Sequence, residues 1–90
     1  GEDYNKSITY FKKSLENGLK NDNNLVVANS SSYLSMIYFR INDFKSALKY
    51  SMISLDTSSK IYRYDNYNLE YQKKFNDMIL NLINNNKNGK

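Results

Sequence analysis

A stretch near the start of the chain recurs forty residues later with the same chemistry in the same order. Asp3-Tyr4-Asn5-Lys6-Ser7-Ile8-Thr9-Tyr10-Phe11-Lys12-Lys13-Ser14-Leu15 aligns without a gap on Asp43-Phe44-Lys45-Ser46-Ala47-Leu48-Lys49-Tyr50-Ser51-Met52-Ile53-Ser54-Leu55. Four positions are identical, and Tyr4/Phe44, Ser7/Ala47 and Ile8/Leu48 keep their physical type. Self-similarity at a period of about 20 to 50 residues marks stacked repeats, in which one unit cannot bury its apolar face alone. The chain is therefore constrained to fold as successive copies of one small unit.

That unit is helical. There is no proline, only Gly1, Gly18 and Gly89 interrupt as glycine, and no segment alternates polar and apolar residues long enough to argue a strand. The first helix is predicted over about residues 3–20, with Tyr4, Ile8, Phe11 and Leu15 in one stripe and Asp3 as its N-cap. Asn21-Asp22-Asn23-Asn24 is a turn, because these side chains bond their own backbone and tolerate unusual dihedrals. The second helix spans about 24–41, with Val27, Leu34, Ile37, Tyr38 and Ile41 apolar and Ala28, Ser31 and Ser35 small. Asn42-Asp43 breaks the chain again and Asp43 caps a third helix, over about 43–58. The fourth, about 65–84, carries Tyr64, Tyr67, Tyr71, Phe75, Met78 and Leu82 at intervals of three and four, with Asp65 or Asn66 as cap. Residues 85–90 read as a flexible tail beyond a helical domain of residues 1–84.

Composition removes whole classes of function. The chain has no cysteine and no histidine, so thiolate chemistry, disulfides, the commonest general base and the commonest metal ligand are all missing. Its nine carboxylates are dispersed, and no glycine-rich phosphate loop or metal-ligand spacing occurs. We expect no catalysis, no cofactor, no metal and no small-molecule substrate. No apolar run approaches the length of a membrane span, so membrane insertion is not expected. The start, Gly1-Glu2-Asp3, lies inside the first echo and lacks the regions of a signal peptide. We read the chain as a segment of a longer cytoplasmic protein. Fifteen asparagines and eleven lysines point to an A+T-rich genome. The net charge of +4 comes from lysines scattered over exposed positions, which gives solubility rather than a phosphate track. Nucleic acid is disfavoured as a partner, although Tyr62, Tyr64, Tyr67 and Tyr71 beside Lys60 and Arg63 could stack bases. Self-association is allowed.

From Ala28 onward the residues resemble a tetratricopeptide repeat. Ala28, Leu34, Ser35 and Tyr38 match its helix A, Asn42-Asp43-Phe44 its turn, and Ala47, Ser54 and Leu55 its helix B. The first echo (Asp3-Tyr4, Ser7, Ile8, Ser14, Leu15) resembles a preceding helix B. The chain departs from the pattern at Ser31, where the family often has tryptophan, and at Asn42, which replaces glycine; no proline closes the unit. A forty-residue period suits the lengthened-helix variety of the repeat. The resemblance implies an all-α fold of antiparallel helical hairpins, a fragment of a right-handed superhelix of about four helices.

The resemblance also implies a function, namely a non-enzymatic scaffold that holds a partner peptide or helix in a groove lined by helix A. By position the groove residues are Asn29, Ser32, Met36, Phe39 and Arg40. An amide suits peptide backbone, a thioether and an aromatic ring suit apolar anchors, and an arginine suits a carboxylate. Projecting the period adds Gln72 and Asn76 from the fourth helix. The carboxylate clamp of chaperone-binding relatives needs an asparagine where this chain has Tyr33, so that use is disfavoured. Two rivals keep the helices. One is a three-helix bundle like the peptide-binding domains of membrane-traffic machinery, with its groove between helices two and four. The other is a helical-repeat RNA-binding module.

If small side chains set the helix approach, Ala47→Ser should be mild, within about 1 kcal/mol, because a serine hydroxyl can bond a carbonyl one turn back. Ala47→Leu should cost about 1–3 kcal/mol or more through overpacking. Equal melting temperatures for the two variants would contradict a close crossing.

Overall fold

The computed structural model describes residues 3–61 and 66–89. They form α1 (Tyr4–Lys20), α2 (Asn24–Arg40), α3 (Phe44–Ile61) and α4 (Asn66–Gly89), and no strand occurs among the described residues. The all-α class with four helices stands.

Each of the first three helices begins on a side chain that accepts from the third residue onward. Asp3 accepts from the Lys6 N–H at 3.3 Å, Asn23 from the Val26 N–H at 3.2 Å, and Asp43 from the Ser46 N–H at 3.2 Å. Asp43 also accepts from the Ser46 hydroxyl at 2.9 Å. One amide at each helix start, which the helix itself cannot satisfy, thus finds a partner.

The two reversals are the same structure twice. At the end of α1 the Asn23 N–H donates to the Gly18 carbonyl at 2.8 Å and the Asp22 N–H to the Leu19 carbonyl at 3.4 Å. At the end of α2 the Asp43 N–H donates to the Tyr38 carbonyl at 2.9 Å and the Asn42 N–H to the Phe39 carbonyl at 3.1 Å. The pivot residues, Asp22 and Asn42, have φ of 53° and 66°. This is a Schellman closure with its pivot in the left-handed region, where Asn and Asp are the best tolerated residues after glycine. Asn23 and Asp43 each close one helix and cap the next. A loop that short leaves the flanking helices antiparallel and in contact.

The helices pack in chain order, α1 on α2, α2 on α3 and α3 on α4. Leu15 of α1, Val27 and Leu34 of α2 and Tyr50 of α3 share one core, with Ile8, Phe11, Tyr38 and Ile53 against it. Aromatic rings tie the layers together. Phe11 stacks on Tyr33 at 4.8 Å between centroids, and Tyr38 stacks on Tyr50 at 5.6 Å. Gly18 marks a close approach of α1 to α2, since a Cβ there would lie 2.9 Å from Val27 Cγ2.

Small residues, most of them polar, fill the rest of the interior. Ala28, Ser30, Ser31, Ser35, Ala47, Ser51, Ser54, Thr57 and Ser58 are buried. Several hydroxyls are satisfied within their own helix. Ser31 donates to the Val27 carbonyl at 2.7 Å, Ser35 to the Ser32 carbonyl at 2.8 Å, and Thr57 to the Ile53 carbonyl at 2.8 Å. Ser7 and Ser14, the counterparts of Ala47 and Ser54, are only half-buried. Tyr10 is 66% exposed where its counterpart Tyr50 is 8% exposed. The echoed helices share caps and register, but α2 covers the Tyr50 face of α3, whereas α1 packs on α2 through its Ile8-Phe11-Leu15 stripe.

The helix ends differ from expectation at three places. Helix α2 stops at Arg40, one residue early, because Ile41 already belongs to the reversal. Helix α3 continues past Ser58 to Ile61, and the buried Thr57 and Ser58 lie on its packed face. Helix α4 continues through Gly89, five residues past the expected end at 84. Once a helix is nucleated, each added residue gains a hydrogen bond, and no proline or glycine interrupts Asn84–Asn88. The caps expected at Asp65 or Asn66 concern a junction whose residues 62–65 lie outside the described ones.

The left-handed pivot makes a direct test. Replacing Asn42 by alanine should cost about 1 kcal/mol, since a plain Cβ is strained at that φ. Glycine should stay within about 0.5 kcal/mol of asparagine, its unfolded-state entropy offsetting the relief. Urea midpoints for the two variants measure this, and an alanine variant as stable as the parent would contradict the strain.

Candidate functional site: a cleft between α2 and α4

Helix α2 spends two sides on packing, with Val27, Leu34 and Tyr38 in the shared core. The side left over carries Asn29, Ser32, Met36 and Phe39 at spacings of three, four and three, with Arg40 beside them. Helix α4 packs on α3, so α2 and α4 face each other across a gap with α3 behind it. They meet at Phe39 and Phe75, whose rings lie 5.7 Å apart at 58°. Phe39 also touches Phe44 at 5.6 Å, which braces it against the start of α3.

The gap has two compartments. The outer one, about 220 Å³, is walled by Ser32, Met36, Phe39 and Arg40 of α2 and by Tyr71, Gln72 and Phe75 of α4. The inner one, about 150 Å³ and backed by α3, shares Ser32, Tyr71 and Gln72 with it and adds Ala28, Asn29, Ser54 and Ser58. The outer compartment is thus chiefly apolar with one guanidinium at its rim. Met36 is 40% exposed and Tyr71 67% exposed, so both present apolar surface to an incoming group. Arg40 makes no ion pair with a carboxylate among the described residues.

Of the side chains expected to form a groove, Asn29, Ser32, Met36, Phe39, Arg40 and Gln72 line this cleft. Asn76 does not. It lines a crevice between α3 and α4 with Met52, Leu55, Asp56 and Lys73, and its Oδ1 is buried without a partner. The forty-residue period explains the miss. Carried into α4, it makes Ile79 the counterpart of Phe39 and Phe75 that of the buried Ser35. Instead Ile79 is fully buried and Phe75 stands in the cleft wall. Asn76 sits one position, about 100°, further round α4 than Phe75. The echo therefore does not carry into the fourth helix.

Sequence reasoning also missed Tyr71 and Phe75 as cleft residues and Ser54 and Ser58 as its floor. The tyrosine and phenylalanine lay in the apolar stripe of helix four, which gave a signal for burial but none for which neighbour they meet. Tyr33, at the position of a chaperone-clamp asparagine, turns the other way and stacks on Phe11 of α1. Tyr62 and Tyr64 of the proposed base-stacking cluster lie outside the described residues, as do Arg63 and the side chain of Tyr67.

Electrostatics near the cleft are simple. Among the described residues the one perturbed group is elsewhere, on α1, where the neighbouring Tyr38 side chain holds the Lys12 ammonium above its ordinary value. Lys12 Nζ lies 6.0 Å from the Tyr38 ring centroid, at the edge of cation–π range. Among the described residues no three metal-ligating side chains converge. No helix among them is long and apolar enough to cross a membrane. No family model, curated protein or solved structure matches the chain.

Asn76 yields a prediction of its own. A buried amide oxygen without a partner carries a desolvation cost of about 1–3 kcal/mol, and an apolar group of the same shape removes it. Asn76→Leu should therefore raise stability by about 1 kcal/mol in urea denaturation. A loss of stability would mean that the amide is satisfied or solvated.

Proposed function

We propose that the chain is a non-enzymatic protein-interaction module of the tetratricopeptide type, whose α2–α4 cleft takes a segment of a partner protein. One observation carries this reading. Six side chains singled out for peptide chemistry converge on a single two-compartment cleft. An apolar side chain of the partner would enter among Met36, Phe39 and Phe75, with the methionine adapting to its shape. A carboxylate of the partner would pair with Arg40, the guanidinium offering two parallel donors. Both walls rest on α3, which sets them on either side of the gap.

The helix A face and the groove between helices two and four turn out to be one surface. A partner mapped there fits the repeat reading and the three-helix-bundle reading alike, and both give the chain the same work. Protein–peptide binding thus stands ahead of RNA binding, because among the described residues Arg40 is the one cation lining the cleft.

Two variants test the proposal on the full-length protein captured with its partners from its own cells. Phe39→Ala with Arg40→Ala should abolish specific capture while the circular dichroism stays helical. Because Phe39 also braces Phe44 and Phe75, Arg40→Glu supplies a variant that leaves the packing alone. It should weaken binding roughly ten- to a hundredfold, the worth of one charged hydrogen-bonding interaction. Capture unaffected by either change would remove the cleft from the binding surface.

A further inference from the structure

Packing in chain order makes α1 and α4 the outer members of the row of helices. The echo shows what the outer side of α1 is built like. On α3 the corresponding positions, Ala47, Tyr50 and Ser54, are buried, and α2 covers them with Tyr38 stacked on Tyr50. On α1 their counterparts Ser7 and Ser14 are half-buried and Tyr10 is exposed, with no described helix over them. The two faces also differ in charge. Where α3 has Ser46 and Ile53, α1 has Lys6 and Lys13. Lys6, Tyr10, Lys13, Asn17 and Lys20 follow one another at intervals of four, three, four and three, which makes them one seam. All five are exposed, and none of these lysines pairs with a carboxylate among the described residues.

The outer side of α4 carries the opposite charge at the same spacing. Glu70 and Asp77 lie seven residues apart and are both exposed, as Lys6 and Lys13 are. Seven residues are about two turns, so each pair is separated by about 10.5 Å along its helix. Asp77 stands two residues, about 200°, round α4 from Phe75 of the cleft wall, so the acidic side turns away from α2. Laid antiparallel across the seam, α4 of another copy would set Asp77 against Lys6 and Glu70 against Lys13. Lys74, between the two acids, would then cross the Tyr10 ring with its methylene stem. Pairing α1 with the α1 of another copy would set lysine against lysine instead.

We propose that the chain associates with itself head to tail, α4 of one copy covering the Lys6-Tyr10-Lys13 face of α1 on the next, as α2 covers α3 within one copy. The contact is heterologous and leaves one α1 and one α4 free on every complex, so assembly continues as concentration rises. One helix laid on another is a small interface, at the weak and transient end of the range. Its attraction is between exposed charges, so salt screens it. Neither Phe39 nor Arg40 takes part, and the proposal stands or falls apart from the cleft.

Light scattering on the 90-residue chain, followed with concentration into the millimolar range, tests this. At low salt the mean mass should rise past that of a dimer. It should return to the monomer in about 1 M salt, where the Debye length is about 3 Å. Lys6→Glu with Lys13→Glu sets acid against acid, and Glu70→Lys with Asp77→Lys sets base against base. Each double variant alone should associate at least about tenfold more weakly, as two exposed ion pairs become two repulsions. Mixed in equal amounts, the two should associate again, because every α4 then finds an α1 of opposite charge. All four side chains are exposed, so circular dichroism should show the same helix content throughout. A parent chain that stays monomeric, an association indifferent to salt, or a mixture as weak as its components would overturn the proposal. So would an effect of only one double variant, which marks a symmetric contact of α1 with α1 or of α4 with α4.

Discussion

Two residues held at positive φ, Asp22 and Asn42, decide the geometry of the first three helices. Each sits at the pivot of a reversal in which the residue after it bonds backward into the finished helix and forward into the next. Because Asn23 and Asp43 do both jobs, the exit of one helix and the entry of the next share a single fixed residue. The chain has no freedom to splay there, so α1, α2 and α3 fold back on one another at the spacing their side chains permit. That spacing is short, as the 2.9 Å separation between a Cβ built at Gly18 and Val27 shows. Serine and alanine on the facing sides follow from the turns rather than the reverse.

Close approach with serines has a consequence for polar satisfaction. A buried hydroxyl on a helix can return to a carbonyl one turn back, and Ser31 and Thr57 do so. Ser51 and Ser54 on α3 do not. Helix α3 has α2 on one flank and α4 on another. Two of its buried hydroxyls are left without partners. The same flanking separates the echoed helices. Tyr50 stacks on Tyr38 and has the Lys49 ammonium 5.3 Å from its ring centroid, whereas Tyr10 lies exposed on α1.

What could be read from sequence was what local chemistry dictates. Asp3 and Asp43 as caps, Asn42 as a glycine substitute, and the stripe Asn29-Ser32-Met36-Phe39 all depend on residues within a turn or two of each other. The face of α2 needed only the helical period and the knowledge that its other sides were apolar or small. The fourth helix needed more. Its roll about its own axis is set by how Ile79 and Phe75 find space against α3 and α2, which no repeat of the sequence encodes. Transferring a forty-residue register to it put Asn76 in the cleft and left Phe75 out. The floor residues Ser54 and Ser58 were hidden for a related reason. A serine on a helix gives no hint of whether it ends against a neighbour or beneath a gap.

The cleft therefore has one wall fixed by short-range rules and one fixed by long-range packing. Helix α2 is held at both ends by reversals of defined hydrogen bonding and by core contacts from α1 and α3. Helix α4 has α3 as its support and reaches α2 through the Phe39–Phe75 pair. Its interface with α3 contains a crevice and an unpartnered amide oxygen, both of which weaken the hold. A loosely held wall facing a rigid one lets the gap adjust to what enters, at the cost of some ordering when it closes. Affinity in such a cleft depends on the contacts of Met36 and Arg40 and also on how firmly α4 seats on α3. A substitution that tightens that interface acts on binding without touching the ligand, because it reduces the freedom that binding must remove.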